Sequence, residues 1–193
     1  MWNLVGSYFH GTNWYASSML TAVQPWSGFY GDDIDGSLPV VWATAHVTQF
    51  TDVGWHYLQN GSGSGVLPQG GYYAGFVSPD GTEFTMNIAK ISREHAPCTR
   101  PKLPEFDVAE ETITFTLTDP TITSLHYFYS NYEVETSIAF EKQVDVPVVG
   151  GKFSLKIPVG AFITLSTRDG VKGAVPASRN QFIGFHRESA REH

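Results

Sequence analysis

The chain has 193 residues, of which 41% are hydrophobic, 14% are aromatic and 16% are charged. This length suits one domain, or one domain with a piece of another, and falls short of the roughly 250 residues of a complete (β/α)₈ barrel. The aromatic content excludes a disordered chain, the net charge of −7 without adjacent basic residues excludes a typical nucleic-acid binder, and no apolar run is long enough for a membrane-spanning helix.

The first quarter of the chain is predicted to hold one strand and one helix. Residues 2–8 form a short apolar run typical of a buried strand, and residues 9–38 are an irregular stretch rich in aromatic residues. Within it, residues 31–37 have the composition of a solvated turn. Pro39 suits the first turn of a helix over residues 39–50, although the β-branched residues there count against one. Apolar residues recur in it at helical spacing: Val40, Ala43, Val47 and Phe50.

Residues 54–175 are predicted to form an antiparallel β-sandwich or barrel. Alternating apolar and polar residues mark short strands, and turn-forming residues separate them. The predicted strands are 84–88, 111–118, 125–129, 153–157 and 161–166. The Gly/Ser-rich residues 60–65 predict a hairpin loop or a short linker, and residues 176–193 a charged tail. Because a strand, loop and helix over residues 1–53 cannot bury their own faces, we expect them to be the last unit of something larger.

Common catalytic motifs are absent from the sequence. It has no phosphate-binding loop, no dinucleotide fingerprint and no nucleophile elbow, and its seven histidines lack the spacing of a zinc site. We therefore expect no metal and no cofactor. A glycosidase needs two suitably spaced carboxylates. The acids near predicted loops fit solvated surface positions better than they fit a catalytic pair. Those acids are Asp32, Asp33, Asp35, Glu94 and Glu105.

Two features favour a carbohydrate ligand, each with a plainer alternative. The aromatic rings of Trp2, Trp14 and Trp26 could stack on sugar rings, or could equally be part of a core. Arg100 lies between turn-forming residues, where its planar fork of donors could reach a ligand oxygen, although an ordinary exposed arginine is the more frequent case. Cys98 is the only cysteine, so this chain by itself forms no internal disulfide.

Several longer runs resemble glycoside hydrolase family 59, and the resemblance spans residues 2–176. The matching runs are Trp2 to Tyr8, Met19 to Ala22, Pro25 to Gly28, Ala45 to Thr51 with Gly54-Trp55, and Cys98 to Pro104. The resemblance implies a mainly β chain in which an antiparallel β-sandwich follows the last strand–loop–helix unit of a (β/α)₈ TIM barrel. Residues 2–8 would be the eighth barrel strand and residues 39–50 the eighth barrel helix.

The resemblance also implies a mechanism and a set of contacts. The family hydrolyses the β-galactosyl bond of galactosylceramide by a retaining double displacement that uses two glutamates. Both glutamates belong to earlier barrel strands, so the catalytic residues are expected upstream of Met1. The positions matching sugar contacts are Trp2, at the carboxyl end of a strand, Trp14, where the family has tyrosine, and Arg100. Cys98 matches a cysteine that the family pairs with one in the missing barrel segment.

The leading hypothesis is therefore a portion of a glycosidase that supplies substrate contacts but is inactive alone. Its expected partners are galactosylceramide or related β-galactosides, the missing N-terminal barrel segment and a lipid-presenting protein, with no nucleic acid. Its expected location is the lysosome in an animal and otherwise a secreted or extracytoplasmic one, with the targeting signal outside this chain. Two alternatives stay open: a stand-alone carbohydrate- or glycolipid-binding β-sandwich, and a structural remnant that needs the barrel for stability.

Overall fold

A computed structural model describes residues 3–8, 18–23, 34–35, 39–91, 107–131 and 138–170. The N-terminal part contains β1 (Asn3–Tyr8), β2 (Ser18–Val23), β3 (Ile34–Asp35) and α1 (Pro39–Thr48). β1 pairs with β2 in parallel, and β2 pairs with β3 in the antiparallel sense. The predicted strand and helix are therefore confirmed. The prediction that residues 9–38 are irregular is wrong, because β2 and β3 lie within them and β3 falls inside the predicted turn.

The rest of the described chain is an antiparallel β-sandwich. Its strands are β4 (His56–Tyr57), β5 (Ser64–Val66), β6 (Tyr72–Val77), β7 (Phe84–Lys90), β8 (Glu111–Thr116), β9 (Ser124–Asn131), β10 (Ile138–Lys142), β11 (Val146–Pro147), β12 (Lys152–Ile157) and β13 (Ala161–Ser166). The large sheet has the order β10-β9-β13-β7-β6-β4, with β5 beside β6 and β11 beside β9. The small sheet pairs β12 with β8. The predicted sandwich is confirmed, and no helix in the described part of the chain is long and apolar enough to cross a membrane.

The core lies between the two sheets and follows from alternation along the strands. On β12, Phe153, Leu155 and Ile157 are buried, whereas the two lysines and the serine that alternate with them are exposed. These side chains face the inner side of the large sheet. The fully buried members of the core that the large sheet contributes are Ile88, Leu125, Ala161, Ile163 and Leu165. Burial of such side chains stabilises the fold by about 1.5–3 kcal/mol each, which makes this layer the main source of stability.

The central strands of the large sheet are covered on both faces. Along β13, Ile163 and Leu165 face the small sheet, whereas Phe162 and Thr164, which alternate with them, contact His46 of α1. The α1 side of this sheet is polar although it is buried, with Thr164 and Ser166 on β13 and Asn87 on β7. A buried polar group is costly unless it forms hydrogen bonds, so the helix on this face has to supply partners.

Candidate functional site

A buried histidine joins α1 to the large sheet. His46 has no solvent exposure, and its two ring nitrogens each lie 2.7 Å from a hydroxyl, Nδ1 from Thr164 Oγ1 and Nε2 from Ser130 Oγ. The backbone oxygen of His46 accepts hydrogen bonds from Asn87 Nδ2 at 2.8 Å and from Thr164 Oγ1 at 2.9 Å. One helical residue is therefore tied to three strands, β7, β9 and β13. The Asn87 side-chain oxygen is buried and lacks a hydrogen-bond partner within the described residues.

The contacts of the two hydroxyls indicate which ring nitrogen of His46 carries the proton. Thr164 Oγ1 has a single proton, which it donates to the backbone oxygen of His46, so Nδ1 of the ring has to be the donor toward Thr164. Ser130 Oγ already accepts a hydrogen bond from the Phe140 amide at 2.7 Å, and its own proton points to Nε2. The neutral ring protonated at Nδ1 therefore gives a hydrogen-bond partner to both ring nitrogens and to the hydroxyls of Thr164 and Ser130.

Burial keeps this ring neutral. Desolvation lowers the pKa of His46 from 6.5 to about 3, because the charged form loses the hydration it would have in water. A second proton on Nε2 would also face the Ser130 hydroxyl, which would then have no acceptor for its own proton. The neutral histidine acts here as a structural connector between helix and sheet.

Phe140 packs against the same histidine from the edge strand β10. Its ring meets His46 edge-on at 5.1 Å and stacks on Phe128 at 5.0 Å. Its φ of 53° is in the left-handed region, next to the register shift between Ile138 and Glu141. This conformation costs a non-glycine residue about 1–2 kcal/mol, so the surrounding packing must hold it.

The contacts of α1 fix its direction on the sheet. His46 lies against Asn87, whereas Phe50, one turn later, accepts a hydrogen bond from Thr85 at 3.2 Å. The helix therefore runs antiparallel to β7, and its N-terminal end points toward Lys90, where β7 ends. At the opposite end, Arg168 forms ion pairs with Asp52 at 2.7 Å and Glu83 at 2.9 Å.

The last residue of β7 and the first residue of β8 meet near the N-terminal end of α1. Lys90 is fully buried, and its ammonium contacts Glu111 Oε1, the first residue of β8, at 2.5 Å. The same ammonium donates to the backbone oxygens of Gln69 at 3.2 Å and Gly70 at 2.9 Å. The Gln69 amide also donates to Glu111 Oε1 at 3.1 Å, so the turn before β6 contacts the last residue of β7 and the first residue of β8.

A groove of about 910 Å³ opens where β8 faces β6 and β7. Its walls are mainly apolar, and its two acids both have structural partners. Glu83 is paired with Arg168, and Asp119 accepts hydrogen bonds from the amide and the hydroxyl of Thr121, which lower its pKa. Both acids of the groove therefore take part in contacts within the fold. Within the described residues, no group of three His, Cys, Asp or Glu side chains could hold a metal ion.

The predicted sugar-contacting residues lie outside the described residues. Trp2 comes immediately before Asn3, the first residue of β1. Trp14 falls between β1 and β2, and Cys98 and Arg100 fall between β7 and β8. Their roles stay predictions. Trp26, the third tryptophan considered for sugar stacking, also falls outside the described residues.

Sequence reasoning missed the buried polar residues, although signals for them exist. His46 follows Ala43 by three residues and precedes Phe50 by four, so it shares the buried face of the helix. Lys90 continues the inward-facing alternation of β7, and Glu111 begins the inward-facing alternation of β8. A lysine and a glutamate at inward positions of successive strands could have indicated an ion pair.

Solved structures show similarity in fold. The catalytic domain of GH30 xylanase C from Talaromyces cellulolyticus aligns with a TM-score of 0.50 and 16% sequence identity, over 84% of this chain and 28% of that one. At this identity the comparison supports the architecture alone.

Known sequences give a more specific result. Galactocerebrosidase from Danio rerio is 33% identical over 170 residues, which is 86% of this chain and 24% of the relative. The protein of the same name from Homo sapiens is 34% identical over 181 residues, covering 91% of this chain and 25% of the relative. The chain thus spans about a quarter of the length of these relatives.

Two family models match in succession along the chain. The model for glycosyl hydrolase family 59 matches residues 1–49, and the model for the central domain of that family matches residues 57–172. The boundary between the two falls just after α1. The resemblance noted in the sequence is therefore confirmed, and the chain belongs to glycosyl hydrolase family 59.

Proposed function

We propose that this chain is the last barrel unit and the β-sandwich of an enzyme that hydrolyses the β-galactosyl bond of galactosylceramide. The similarity to galactocerebrosidases over most of the chain supports this substrate class. The chain spans about a quarter of those relatives, so the remaining barrel would supply the two catalytic glutamates. In this proposal the mechanism is retaining, and residues 1–193 alone are inactive.

The observation that carries the proposal is the direction of α1. In a (β/α)₈ barrel the active site lies at the face where strands end and the following helices begin. The N-terminal end of α1 points toward Lys90, and the connection 92–106 begins two residues after Lys90 in the sequence. A sandwich fixed to the last barrel helix in this orientation would deliver that connection, with Arg100, to the catalytic face.

The proposed contacts follow from side-chain chemistry. The guanidinium of Arg100 would donate two parallel hydrogen bonds to neighbouring hydroxyls of the galactose. Trp2 and Trp14 would stack on the apolar face of the sugar, and Trp14 would lack the hydroxyl of the tyrosine found there in the family. Cys98 would form a disulfide with a cysteine of the barrel segment.

The test compares residues 1–193 alone with a chimera in which they replace the matching segment of the Danio rerio relative. We expect hydrolysis of a β-galactoside only in the chimera, because the isolated chain has no catalytic pair. Arg100→Ala should lower kcat/KM by about 10- to 100-fold, the effect of losing a charged hydrogen bond. Lys152→Ala, which removes an exposed cation at the other end of the sandwich, is the matched control.

Three results would contradict the proposal. Turnover by the isolated chain, abolished by changing one of its own acids, would refute the absence of a catalytic pair. An active chimera unaffected by Arg100→Ala would refute the assigned sugar contact. Galactose binding by the isolated chain with no activity in a folded chimera would favour the alternative, a non-catalytic binding module.

We also propose where this enzyme works and how its lipid substrate reaches the active site. A galactosylceramide hydrolase works where sphingolipids are degraded, which is the lysosome in an animal and an extracytoplasmic space elsewhere. Because the substrate is embedded in a membrane, a lipid-presenting protein would be needed to offer the galactosyl bond to a recessed site. Hydrolysis by the chimera of micellar but not vesicular substrate, restored by a lipid-transfer protein, would support this part.

A further inference from the structure

The turn between β4 and β5 contains the tripeptide Asn60-Gly61-Ser62. An asparagine followed by any residue except proline and then by serine or threonine is the acceptor sequence for N-linked glycosylation. No other asparagine of the 193 residues begins such a tripeptide. A tripeptide by itself is a weak signal, so its surroundings in the fold have to show whether it is open to modification.

The two side chains that define the acceptor sequence are both free. Asn60 and Ser62 are exposed, and neither side chain forms a hydrogen bond with the described residues. Backbone hydrogen bonds hold the turn without them, from the Gly61 amide to the Ser64 oxygen at 2.8 Å and from the Ser62 amide to the Gln59 oxygen at 2.9 Å. A Cβ on Gly61 would meet no atom within 4 Å. The carboxamide and the hydroxyl are therefore accessible without any opening of the fold.

The next glycine and serine along the turn are used by the fold instead. Ser64 Oγ donates a hydrogen bond to the Leu58 oxygen at 2.7 Å and accepts one from the Gly75 amide at 3.2 Å. A Cβ on Gly63 would lie 2.5 Å from Cδ1 of Leu58, so this glycine is packed against a side chain. One half of the turn thus fixes its shape, and the half that contains Asn60 and Ser62 is left exposed.

An exposed aromatic ring lies three residues before Asn60. Tyr57 ends β4 and is 72% exposed, and its ring centroid lies 4.5 Å from that of Phe76. An exposed apolar side chain on an edge strand favours self-association unless something covers it. The face of a tyrosine ring can pack on the C–H groups of a sugar. Three residues span at most about 10 Å of chain, a distance that an asparagine side chain with one or two sugar rings can bridge.

We propose that Asn60 is an N-glycosylation site and that the first sugar of its glycan packs on Tyr57. The donor is an oligosaccharide joined through pyrophosphate to a lipid. Asn60 Nδ2 forms a bond to C1 of the terminal N-acetylglucosamine, the bond from C1 to the pyrophosphate oxygen breaks, and the amide proton passes to a base of the transferase. The inference rests on the proposed function for the extracytoplasmic route that brings the chain to this donor.

The modification is tested by secreting residues 1–193 from a eukaryotic host cell. Chymotrypsin cleaves after Tyr57 and after Tyr72, and the peptide between them contains Asn60 as its only asparagine. We expect the mass of this peptide to include an N-linked glycan, which Ser62→Ala should lose and the control Ser62→Thr should keep. An unmodified peptide from the secreted original chain would overturn the proposal. If the chain alone is not secreted, the same peptide from the chimera decides the matter.

A thermodynamic cycle tests the contact with Tyr57. Urea unfolding is compared for the glycosylated chain, Ser62→Ala, Tyr57→Ala and the double variant. We expect the glycan to raise the folding equilibrium constant about fivefold when Tyr57 is present and to have no effect in Tyr57→Ala, as for an aromatic contact of ordinary strength. Val144→Ala, which removes an exposed apolar side chain between β10 and β11, should leave the effect of the glycan unchanged. An equal effect with and without Tyr57 would refute the contact.

The glycosylation site and the proposed function fail by different results. A chimera that carries the glycan on Asn60 but hydrolyses no β-galactoside would refute the proposed function and support the site. An active chimera in which the peptide between Tyr57 and Tyr72 is unmodified would refute the site alone.

Discussion

Acidification should weaken the contact between α1 and the sandwich, through His46. The perturbation is a change of pH from 7.5 to 4.5. In the unfolded chain this histidine takes up a proton near pH 6.5, whereas in the folded protein its pKa is about 3. Between these values only the unfolded state binds the proton, so the free energy of unfolding must fall as the pH falls, and the loss is complete below about pH 3.

The size of the effect follows from the two pKa values. Each unit of difference corresponds to about 1.4 kcal/mol of stability for a single group. Between pH 6.5 and pH 4.5 the histidine is protonated in the unfolded chain but neutral in the folded protein. These two pH units give a loss of about 3 kcal/mol in the free energy of unfolding. This is a large part of the roughly 5–15 kcal/mol that a typical domain has in total.

Urea unfolding at a series of pH values measures this loss. His46→Gln removes the titrating ring and keeps polar atoms near Ser130, so its stability should depend on pH less steeply than that of the original chain by about 3 kcal/mol over the range. His56→Gln removes an exposed histidine of β4 and serves as the control. If His46→Gln has the same pH dependence as the original chain, the buried neutral histidine is not the source of acid sensitivity.

Three further changes test the packing around this contact. Phe140→Gly should be more stable than Phe140→Ala by about 1 kcal/mol in urea unfolding, because glycine accepts the left-handed backbone; equal stabilities would mean that residue 140 carries no backbone strain. Gly71→Ala should lower the free energy of unfolding by at least about 2 kcal/mol more than Gly61→Ala, because only the former brings a Cβ against a backbone oxygen, that of Ala89. Similar thermal midpoints for the two variants would refute this close contact. Ser130→Ala should cost about 2 kcal/mol by leaving the Phe140 amide without its acceptor, and a loss below about 0.5 kcal/mol would contradict the hydrogen-bond assignment.

The strands with one solvent-facing side could be predicted from the sequence. β8 and β12 alternate strictly, because one face is buried and the other is exposed. β6 was missed, since tyrosines, alanine, glycine and phenylalanine follow one another there without a polar alternate. Residues 138–142 were missed as well, because the register shift at Phe140 interrupts the period of two on which strand prediction depends.

The candidate site was less accessible to sequence reasoning than the fold. The family resemblance named Trp2, Trp14 and Arg100, but nothing in the local pattern fixes where a long connection carries a side chain. The polar contacts of His46 and Lys90 join residues that are distant in sequence, so their partners depend on strand order and not on local spacing. The sequence did not predict the direction of α1 on the large sheet, and only the structure shows that α1 runs antiparallel to β7.

The contact between His46 and Thr164 also has a consequence for the order of folding. The two residues are separated by 118 positions, and a helix of ten residues is marginal in water without tertiary partners. At a synthesis rate of about 5–20 residues per second, on the order of 6 to 24 s pass between the appearance of the helix and that of β13. Until then His46 is hydrated and titrates as in an unfolded chain. The attachment of α1 to the sandwich is therefore a late event in biosynthesis, set by the arrival of β13.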